Sequence, residues 1–273
     1  MKKIILSILY FLFLINMKSL AQQYDESCSI QGISLSSQTS NLVSAFNASE
    51  NAALMLEQSK SVIAISVLNK YALAGLKQGG LGYVRPIGKS SAVGITVQIN
   101  GTQYLKQTSV VFSYSKKLND KFGAGITFIL LNSFEQTIGS RNNILGKVGI
   151  AYRPSKLILI GATIYNPTAV KLSSFTGERI PTYFSSGIRY KVSSQVYTYA
   201  EYRLGLTDLR NFKIGLSYEI KSGVLLNVGF QNTNSPISFG LSCKIKNIAF
   251  RFALQYHQVL GFSPAVGGDI DFN

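Results

Sequence analysis

The chain has 273 residues, of which 46% are hydrophobic and only 14% are charged, and its formal net charge is +15. This length suffices for one large β domain or for two domains of ordinary size. A positive charge raises the question of nucleic-acid binding. The basic residues are spread along the sequence instead of clustering with aromatic residues, so we predict no nucleic-acid partner.

The first 21 residues predict export from the cytoplasm. A basic start at Lys2 and Lys3 is followed by an apolar run from Ile4 to Ile15, and Ala21 ends a Ser-Leu-Ala tripeptide. This order is that of a secretory signal peptide cleaved after Ala21. No cysteine stands directly after this site, which argues against a lipid anchor. No later stretch reaches the roughly 18 apolar residues that a spanning helix needs.

The next segment, residues 22–57, carries four acidic residues and no lysine or arginine. Its apolar run from Ala52 to Leu56 would be exposed if the segment hung free in water. An acidic segment beside basic turns predicts a plug, or hatch, that folds back inside a barrel. The alternative is that the basic turns lie near anionic headgroups or stay solvated. The predicted plug residues are Glu50, Asn51, Ala53 and Glu57.

From residue 58 to residue 273 the sequence alternates large apolar residues with small or charged ones. Between Ile248 and His257, one face carries five large apolar residues and the other carries two alanines, Arg251, Gln255 and His257. Such alternation predicts strands with two different faces. Turn signals separate about 14 of them. They lie near 61–68, 76–86, 91–100, 107–117, 121–132, 144–153, 157–166, 182–191, 195–205, 210–220, 224–232, 236–245, 248–257 and 264–272.

The composition of the two faces distinguishes a membrane barrel from a soluble sandwich. A sandwich would bury its large apolar face and coat its outer face with Lys, Glu, Asn and Thr. Here the second face is rich in glycine and alanine, which suit a narrow lumen. Strands of this length suit a tilted crossing of a bilayer, and an even number closes without a free edge. We therefore predict an all-β fold, an antiparallel transmembrane β-barrel of about 14 strands with an N-terminal plug, surrounded by outer-membrane lipid and lipopolysaccharide of a Gram-negative cell.

The same alternation assigns the side chains to faces and the turns to sides of the membrane. The short turns at 86–90 and 153–156 are predicted to be periplasmic, and the longest connections are predicted at 132–143 and 167–181. The predicted lumen-facing residues are Lys147, Arg189, Arg203, Lys213, Glu219, Arg251 and Gln255. The predicted extracellular loop residues are His257, Leu260 and Gly261.

Catalytic and metal sites find little support. His257 is the only histidine, and although a dyad with Ser263 or a carboxylate of the next strand is conceivable, no nucleophile motif accompanies it. One histidine and two separated cysteines argue against a transition-metal site. Cys243 lies on the outward parity, so free thiols are expected, with a bridge to Cys28 as the alternative. We predict no enzyme, no cofactor and no metal.

Three short motifs resemble the FadL-like outer-membrane barrels. The segment ENAALML, residues 50–56, is similar to their Asn-Pro-Ala-x-Leu hatch, with Asn51 and Ala53 matching and Ala52 in place of the proline. The Tyr-Asn-Pro at 165–167 resembles the Asn-Pro after a middle strand in Bacteroidetes members. The segment YHQVLGFSP, residues 256–264, resembles their His-x-x-Leu-Gly segment before the last strand.

This resemblance implies two alternative functions. In the PorV, PorQ and plug-type barrels associated with type IX secretion, such a protein is an accessory subunit of an envelope machine, with a protein partner there. In FadL it is a passive conduit for a small hydrophobic ligand. Short connections and the absence of tryptophan leave little material for a capture site, so we expect the accessory role.

Overall fold

The computed structural model describes residues 27–41, 44–171, 180–206, 210–233 and 235–272. The predicted signal peptide and most of the predicted connection at 167–181 lie outside these residues. None of the described helices has the length and apolar character needed to cross a membrane.

Fourteen strands form one closed barrel in the described part of the chain. They are β1 (Ser61–Asn69), β2 (Lys77–Ile87), β3 (Ser91–Gly101), β4 (Leu105–Lys117), β5 (Phe122–Glu135), β6 (Gly139–Tyr152), β7 (Ile158–Tyr165), β8 (Tyr183–Lys191), β9 (Val196–Gly205), β10 (Arg210–Lys221), β11 (Val224–Gln231), β12 (Ile237–Ile245), β13 (Ile248–His257) and β14 (Gly261–Phe272). Each strand pairs with its neighbours in sequence, and antiparallel pairing of β1 with β14 closes the sheet. The predicted 14-stranded antiparallel barrel is confirmed.

The β5–β6 hairpin departs from the prediction. A long connection was expected over 132–143, but β5 continues to Glu135 and β6 begins at Gly139, so the prediction was wrong. Polar residues occupy both faces of this stretch and hide the alternation. The Asn132 side-chain amide donates hydrogen bonds to Ser140 Oγ at 2.6 Å and to Asn142 Oδ1 at 2.7 Å, which stabilises the extended hairpin.

The last hairpin also differs from the prediction. His257 is the final residue of β13 and Gly261 the first residue of β14, so only residues 258–260 form the turn. His257 and Gly261 are therefore strand residues, and Leu260 alone of the three predicted loop residues lies in the turn. The predicted start of the last strand was Pro264, but β14 begins at Gly261, and Pro264 lies inside it, opposite Leu254.

The barrel turns its large apolar side chains outward. Along β10, exposed and buried residues alternate, and Ile214, Leu216 and Tyr218 are each at least 40% exposed while Ser217 between them is buried. The same pattern recurs in the other strands. An outward apolar belt around an inward row of small and polar residues is the arrangement of a lipid-facing barrel.

The first prediction tests this belt at its middle. We expect Leu216→Arg to cost about 2–4 kcal/mol of folding free energy, because the position lies near the centre of the outward row. The matched control is Ile220→Arg on the same row at the mouth of the barrel, where the cost should fall to about 0–1 kcal/mol. Urea unfolding in lipid vesicles measures both values. Equal costs at the two positions would contradict a membrane-spanning belt.

The described residues 27–41 and 44–57 of the N-terminal segment lie inside the barrel. The segment contains α1 (Ile30–Leu35), α2 (Asn47–Glu50) and a 3-10 helix (Ala52–Glu57). The helix α1 contacts β10 to β14, and the 3-10 helix contacts β2 to β6, so the segment reaches most of the barrel wall. Helix α1 and the 3-10 helix each begin at a capping side chain. Ser29 Oγ accepts a hydrogen bond from Gly32 N, and Asn51 Oδ1 accepts one from Ala53 N.

Candidate functional site

Glycines of the barrel wall bring its backbone close to the N-terminal segment. A Cβ atom added at Gly125 would lie 2.7 Å from Ala53 N, and one added at Gly161 would overlap the carbonyl oxygen of Thr39. Glycines at further inward positions also approach the segment: Gly94, Gly149, Gly187, Gly215, Gly229 and Gly240. The glycine-rich face that the sequence predicted as a lumen is therefore covered by residues 27–41 and 44–57.

The second prediction follows from this close approach. We expect Gly161→Val to push Thr39 away from the wall, because no space exists for the added side chain. The control is Gly146→Val, since a Cβ atom there has no neighbour within 4 Å. The reporter is Ser40→Cys in a Cys28→Ser/Cys243→Ser background, because Ser40 is fully buried. Maleimide should label the reporter faster with Gly161→Val only, and equal rates in the two variants would contradict the close packing.

One buried carboxylate holds the turn at residues 37–39. Glu201, on β9, has a fully buried side chain, and its Oε2 accepts hydrogen bonds from Gln38 N at 2.7 Å and Thr39 N at 2.8 Å. The Thr39 hydroxyl donates a third bond to the same oxygen at 2.8 Å. Charge-assisted bonds of this kind are about twice as strong as neutral ones. The turn is thus bound to the barrel by its backbone.

Two basic residues balance the charge of Glu201. Lys213 Nζ on β10 lies 3.1 Å from Glu201 Oε1, and a guanidinium nitrogen of Arg203 lies 4.0 Å from it. Arg203 also donates to the side-chain oxygen of Gln38 and, through Nε, to Ser185 Oγ at 3.1 Å. All three charged side chains are at most 5% exposed. A buried charge needs such a partner, because desolvation of an isolated ion is unfavourable.

A second set of contacts holds the 3-10 helix and the residues before it. The Asn51 side-chain amide donates to Thr39 O at 2.9 Å and to Ile150 O on β6 at 3.1 Å. Lys147 Nζ donates to Ser49 O at 2.9 Å, and the Glu50 carboxylate accepts a hydrogen bond from Ser27 Oγ. The single side chain of Asn51 therefore joins two parts of the segment to each other and to the wall.

The remaining predicted residues lie at or near the mouths of the barrel. Glu57 forms an ion pair with Arg153 at 2.5 Å, and Ala53 is buried above it. Arg251 is buried and pairs with Asp269. The predicted residues Arg189, Glu219 and Gln255 are half-buried. Among the predicted lumen residues, Lys147, Arg203 and Lys213 contact the N-terminal segment or the carboxylate that binds it.

His257 stabilises a turn. Its Nδ1 accepts hydrogen bonds from Val259 N at 3.1 Å and Leu260 N at 3.0 Å, and its ring meets Tyr71 edge-on at 5.1 Å between centroids. The hydroxyl of Ser263, considered as a catalytic partner, accepts a hydrogen bond from Tyr71 N at 2.9 Å. These contacts explain His257 as a structural residue. Cys28 is buried, and neither it nor Cys243 forms a disulfide.

An apolar cluster lines one side of the lumen below the β7–β8 connection. Its members are Val111, Ile129, Leu131, Leu145, Tyr165, Ile180 and Tyr183. The rings of Tyr165 and Tyr183 stack at 4.9 Å, and the Arg203 guanidinium lies 4.5 Å from the Tyr183 centroid. Asn166, with φ of 51°, turns the chain inward, and its side-chain amide donates to Ile180 O at 2.8 Å. The Asn-Pro motif thus ends β7 and directs the described ends of this connection over the cluster.

Sequence reasoning missed Glu201 and the tyrosine pair. Glu201 lies on the inward row of β9, two residues before Arg203, which the prediction did name. Glu201 is an acidic residue among inward-facing basic residues, Arg203 and Lys213, and this contrast in charge could have marked it as a candidate. Its partners could not be inferred, because they include backbone amides about 160 residues earlier in the chain.

Comparison with known proteins identifies the fold. No family model matches the chain, and no curated protein sequence matches it. Among solved structures, the toluene transporter TodX of Pseudomonas putida has a TM-score of 0.71 at 9% identity, covering 92% of this chain and 100% of that one. The toluene transporter TbuX of Ralstonia pickettii has a TM-score of 0.70 at 14% identity, with coverage of 92% and 100%. The chain has the fold of these transporters.

A FadL homologue from Pseudomonas aeruginosa gives the same result, with a TM-score of 0.66 at 11% identity, covering 91% of this chain and 99% of that one. Identities this low relate the folds alone. The structures support the FadL-like part of the sequence resemblance. They lend no support to the more specific expectation of a type IX secretion subunit of the PorV kind.

Proposed function

We propose that the protein is an outer-membrane conduit for small hydrophobic molecules, closed in this conformation by its N-terminal segment. The observation that carries the proposal is the fold shared with two toluene transporters over nearly the whole chain. The outward apolar belt supports a position in a lipid bilayer. In this proposal residues 1–21 direct export, residues 22–57 act as the plug, and residues 58–273 form the barrel.

The contacts of the plug support a segment that moves as a unit. Its interface with the wall combines backbone and side-chain hydrogen bonds, at Thr39 and Asn51, with a small apolar cluster around Phe46 and Met55. When the segment moves, water can replace the hydrogen bonds, whereas the wall left behind carries mainly small side chains. Opening therefore needs no rearrangement of the strands.

The apolar cluster around Tyr165 and Tyr183 supports the substrate class. This inward-facing cluster consists of aliphatic and aromatic side chains and includes no residue of the plug. It adjoins Arg203, which contacts the plug at Gln38. An apolar molecule that enters from the β7–β8 side would meet this surface first. No catalytic step is part of this proposal, and transport follows the concentration gradient.

The third prediction tests transport with a plug that can be locked. Ser36 Oγ of the segment lies 3.1 Å from Ser238 Oγ of β12, so a Ser36→Cys/Ser238→Cys pair, in a Cys28→Ser/Cys243→Ser background, is placed for a disulfide. In a porin-deficient Gram-negative host, we expect the protein to accelerate uptake of radiolabelled toluene. The oxidised double-cysteine variant should abolish the gain, and a reductant should restore it.

The matched control has Ser238→Cys alone, which offers no partner for the bond and should transport in both redox conditions. Uptake no faster than in cells with an empty vector, at equal amounts of folded protein, would contradict the conduit. Equal uptake by the oxidised and reduced lock would contradict movement of the plug.

A further inference from the structure

Six turns at one mouth of the barrel share a sequence feature that neither the fold nor transport explains. These turns join β2–β3, β4–β5, β6–β7, β8–β9, β10–β11 and β12–β13, and together we call them the basic rim. Each has an exposed aliphatic residue within two positions of a lysine. The pairs are Ile87 with Lys89, Leu118 with Lys117, Leu157 with Lys156, Val192 with Lys191, Ile220 with Lys221, and Ile245 with both Lys244 and Lys246.

The aliphatic residues of the basic rim are exposed, and most of them lie on the outer face of the barrel. They are between 48% and 61% exposed. Successive side chains of a strand point to opposite faces, so parity assigns each of them to a side. Five of the six continue the outward row of their strand into the turn: Ile87, Leu118, Val192, Ile220 and Ile245. Their exposure is therefore towards lipid instead of the lumen.

In the described turns of the opposite mouth this pairing is rare. These turns also expose apolar residues, among them Leu73, Ile138 and Val259, but no lysine lies within two positions of these three. Leu105, beside Lys106, is the exception. The combination of aliphatic residue and lysine is thus a property of one mouth, and a general need for soluble turns does not account for it.

The lysines of the basic rim are mostly available to a ligand. Two ion pairs form at this mouth, Glu57 with Arg153 and Asp271 with Lys244, both at 2.5 Å, and the β4–β5 turn also carries the exposed Asp120. Within the described residues, no ion pair involves the others, namely Lys89, Lys117, Lys156, Lys191, Lys221 and Lys246. A ring of unneutralised ammonium groups beside lipid-facing aliphatic residues attracts anions at the bilayer surface.

We propose that the basic rim binds the phosphate groups of acidic phospholipids in the leaflet around it. In the five turns with an outward aliphatic residue, that side chain enters the boundary of the acyl chains, and the neighbouring lysine extends along it to reach a headgroup phosphate. A docked acidic protein would also meet the lysines. It would leave the outward aliphatic side chains without a function, which is why the geometry favours lipid.

The experiment measures lipid selectivity of the full chain in detergent. The protein is incubated with equal amounts of phosphatidylglycerol and phosphatidylcholine of the same acyl chains, and the retained lipids are counted by native mass spectrometry. The wild type should retain phosphatidylglycerol preferentially. The triple variant Lys89→Gln/Lys156→Gln/Lys221→Gln should lose that preference. The control Lys77→Gln/Lys106→Gln/Lys171→Gln, with three exposed lysines of the opposite mouth, should keep it.

Heat-modifiable migration in gels verifies that each variant is folded. Should the rim variant not fold, the wild type still tests the proposal. Raising salt from about 0.05 M to about 0.5 M shortens the Debye length and should reduce its preference for phosphatidylglycerol. The proposal is wrong if the wild type shows no preference, if the folded rim variant keeps it, or if the control loses it equally. If the wild type shows no lipid preference and instead binds an acidic protein, the basic rim is a protein-docking surface and the lipid proposal is wrong.

Discussion

Deleting residues 27–57 is expected to convert the closed barrel into an ion-conducting pore. The wall that faces this segment is rich in glycine, alanine and serine, so the barrel's own side chains leave most of this space to the segment. A barrel of 14 strands is wider than the eight or so whose interior side chains can fill it. Planar-bilayer recordings should show stable conductance for the deletion and none for the intact chain.

The control for this deletion keeps the segment and breaks one contact at the mouth. Glu57→Gln removes the partly exposed ion pair with Arg153, and the barrel should remain closed. A folded deletion variant with zero conductance would contradict the plug, and the conduit would fail with it. If the deletion variant conducts ions but the intact chain does not take up toluene, the plug is supported and only the transport proposal is contradicted.

The substitution Glu201→Gln is expected to destabilise the protein by about 3–5 kcal/mol, because removal of one partner leaves buried charges uncompensated. Lys213 and Arg203 would keep their positive charges at side-chain exposures of 5% and 4%. The turn at Gln38 and Thr39 would also lose its charged acceptor. Urea unfolding in vesicles measures the loss, and hydrogen exchange at the two amides reports release of the turn.

Two matched variants separate charge from packing at this site. The partly exposed pair of Lys244 and Asp271 provides the first, since Asp271→Asn should cost only about 0–1 kcal/mol. The second is Glu201→Gln/Lys213→Met, which removes both charges and should recover part of the lost stability. If Glu201→Gln costs no more than Asp271→Asn, the carboxylate does not hold the segment in the way that the distances indicate.

The accuracy of the strand predictions varied with how strongly one face was apolar. Most bounds of the 14 strands agree with the predicted ones within one or two residues. Within the membrane belt, successive residues of a strand alternate between large and small side chains, so the period of two residues is easily recognised. The β5–β6 hairpin extends beyond the belt, where Asn132 and Asn142 replace the apolar row. Without two different faces, the sequence there resembles a loop.

The N-terminal segment shows how far composition could go. Its acidic residues and its apolar run predicted that 22–57 packs inside a barrel, and Asn51 does contact the wall at Ile150. The predicted electrostatic partner was the basic mouth, and among the described acids of the segment Glu57 meets it, at Arg153. In the main charged contact the roles are reversed. The barrel supplies the acidic group, the carboxylate of Glu201, and the segment supplies backbone amides. Amides are present at every residue, so the sequence carries no mark of which ones are used.

The sequence by itself determined the class of fold, the number of strands and which face of each strand is apolar. These properties depend on alternation between neighbouring residues and on local turn chemistry, both of which are visible in a short window. Only the tertiary structure decided which elements meet inside the barrel. The contacts of Thr39 with Glu201 and of Asn51 with Ile150 join residues about 100 or more positions apart. Such contacts are set by closure of β1 on β14 and by the register of every hairpin between them, which no local pattern specifies.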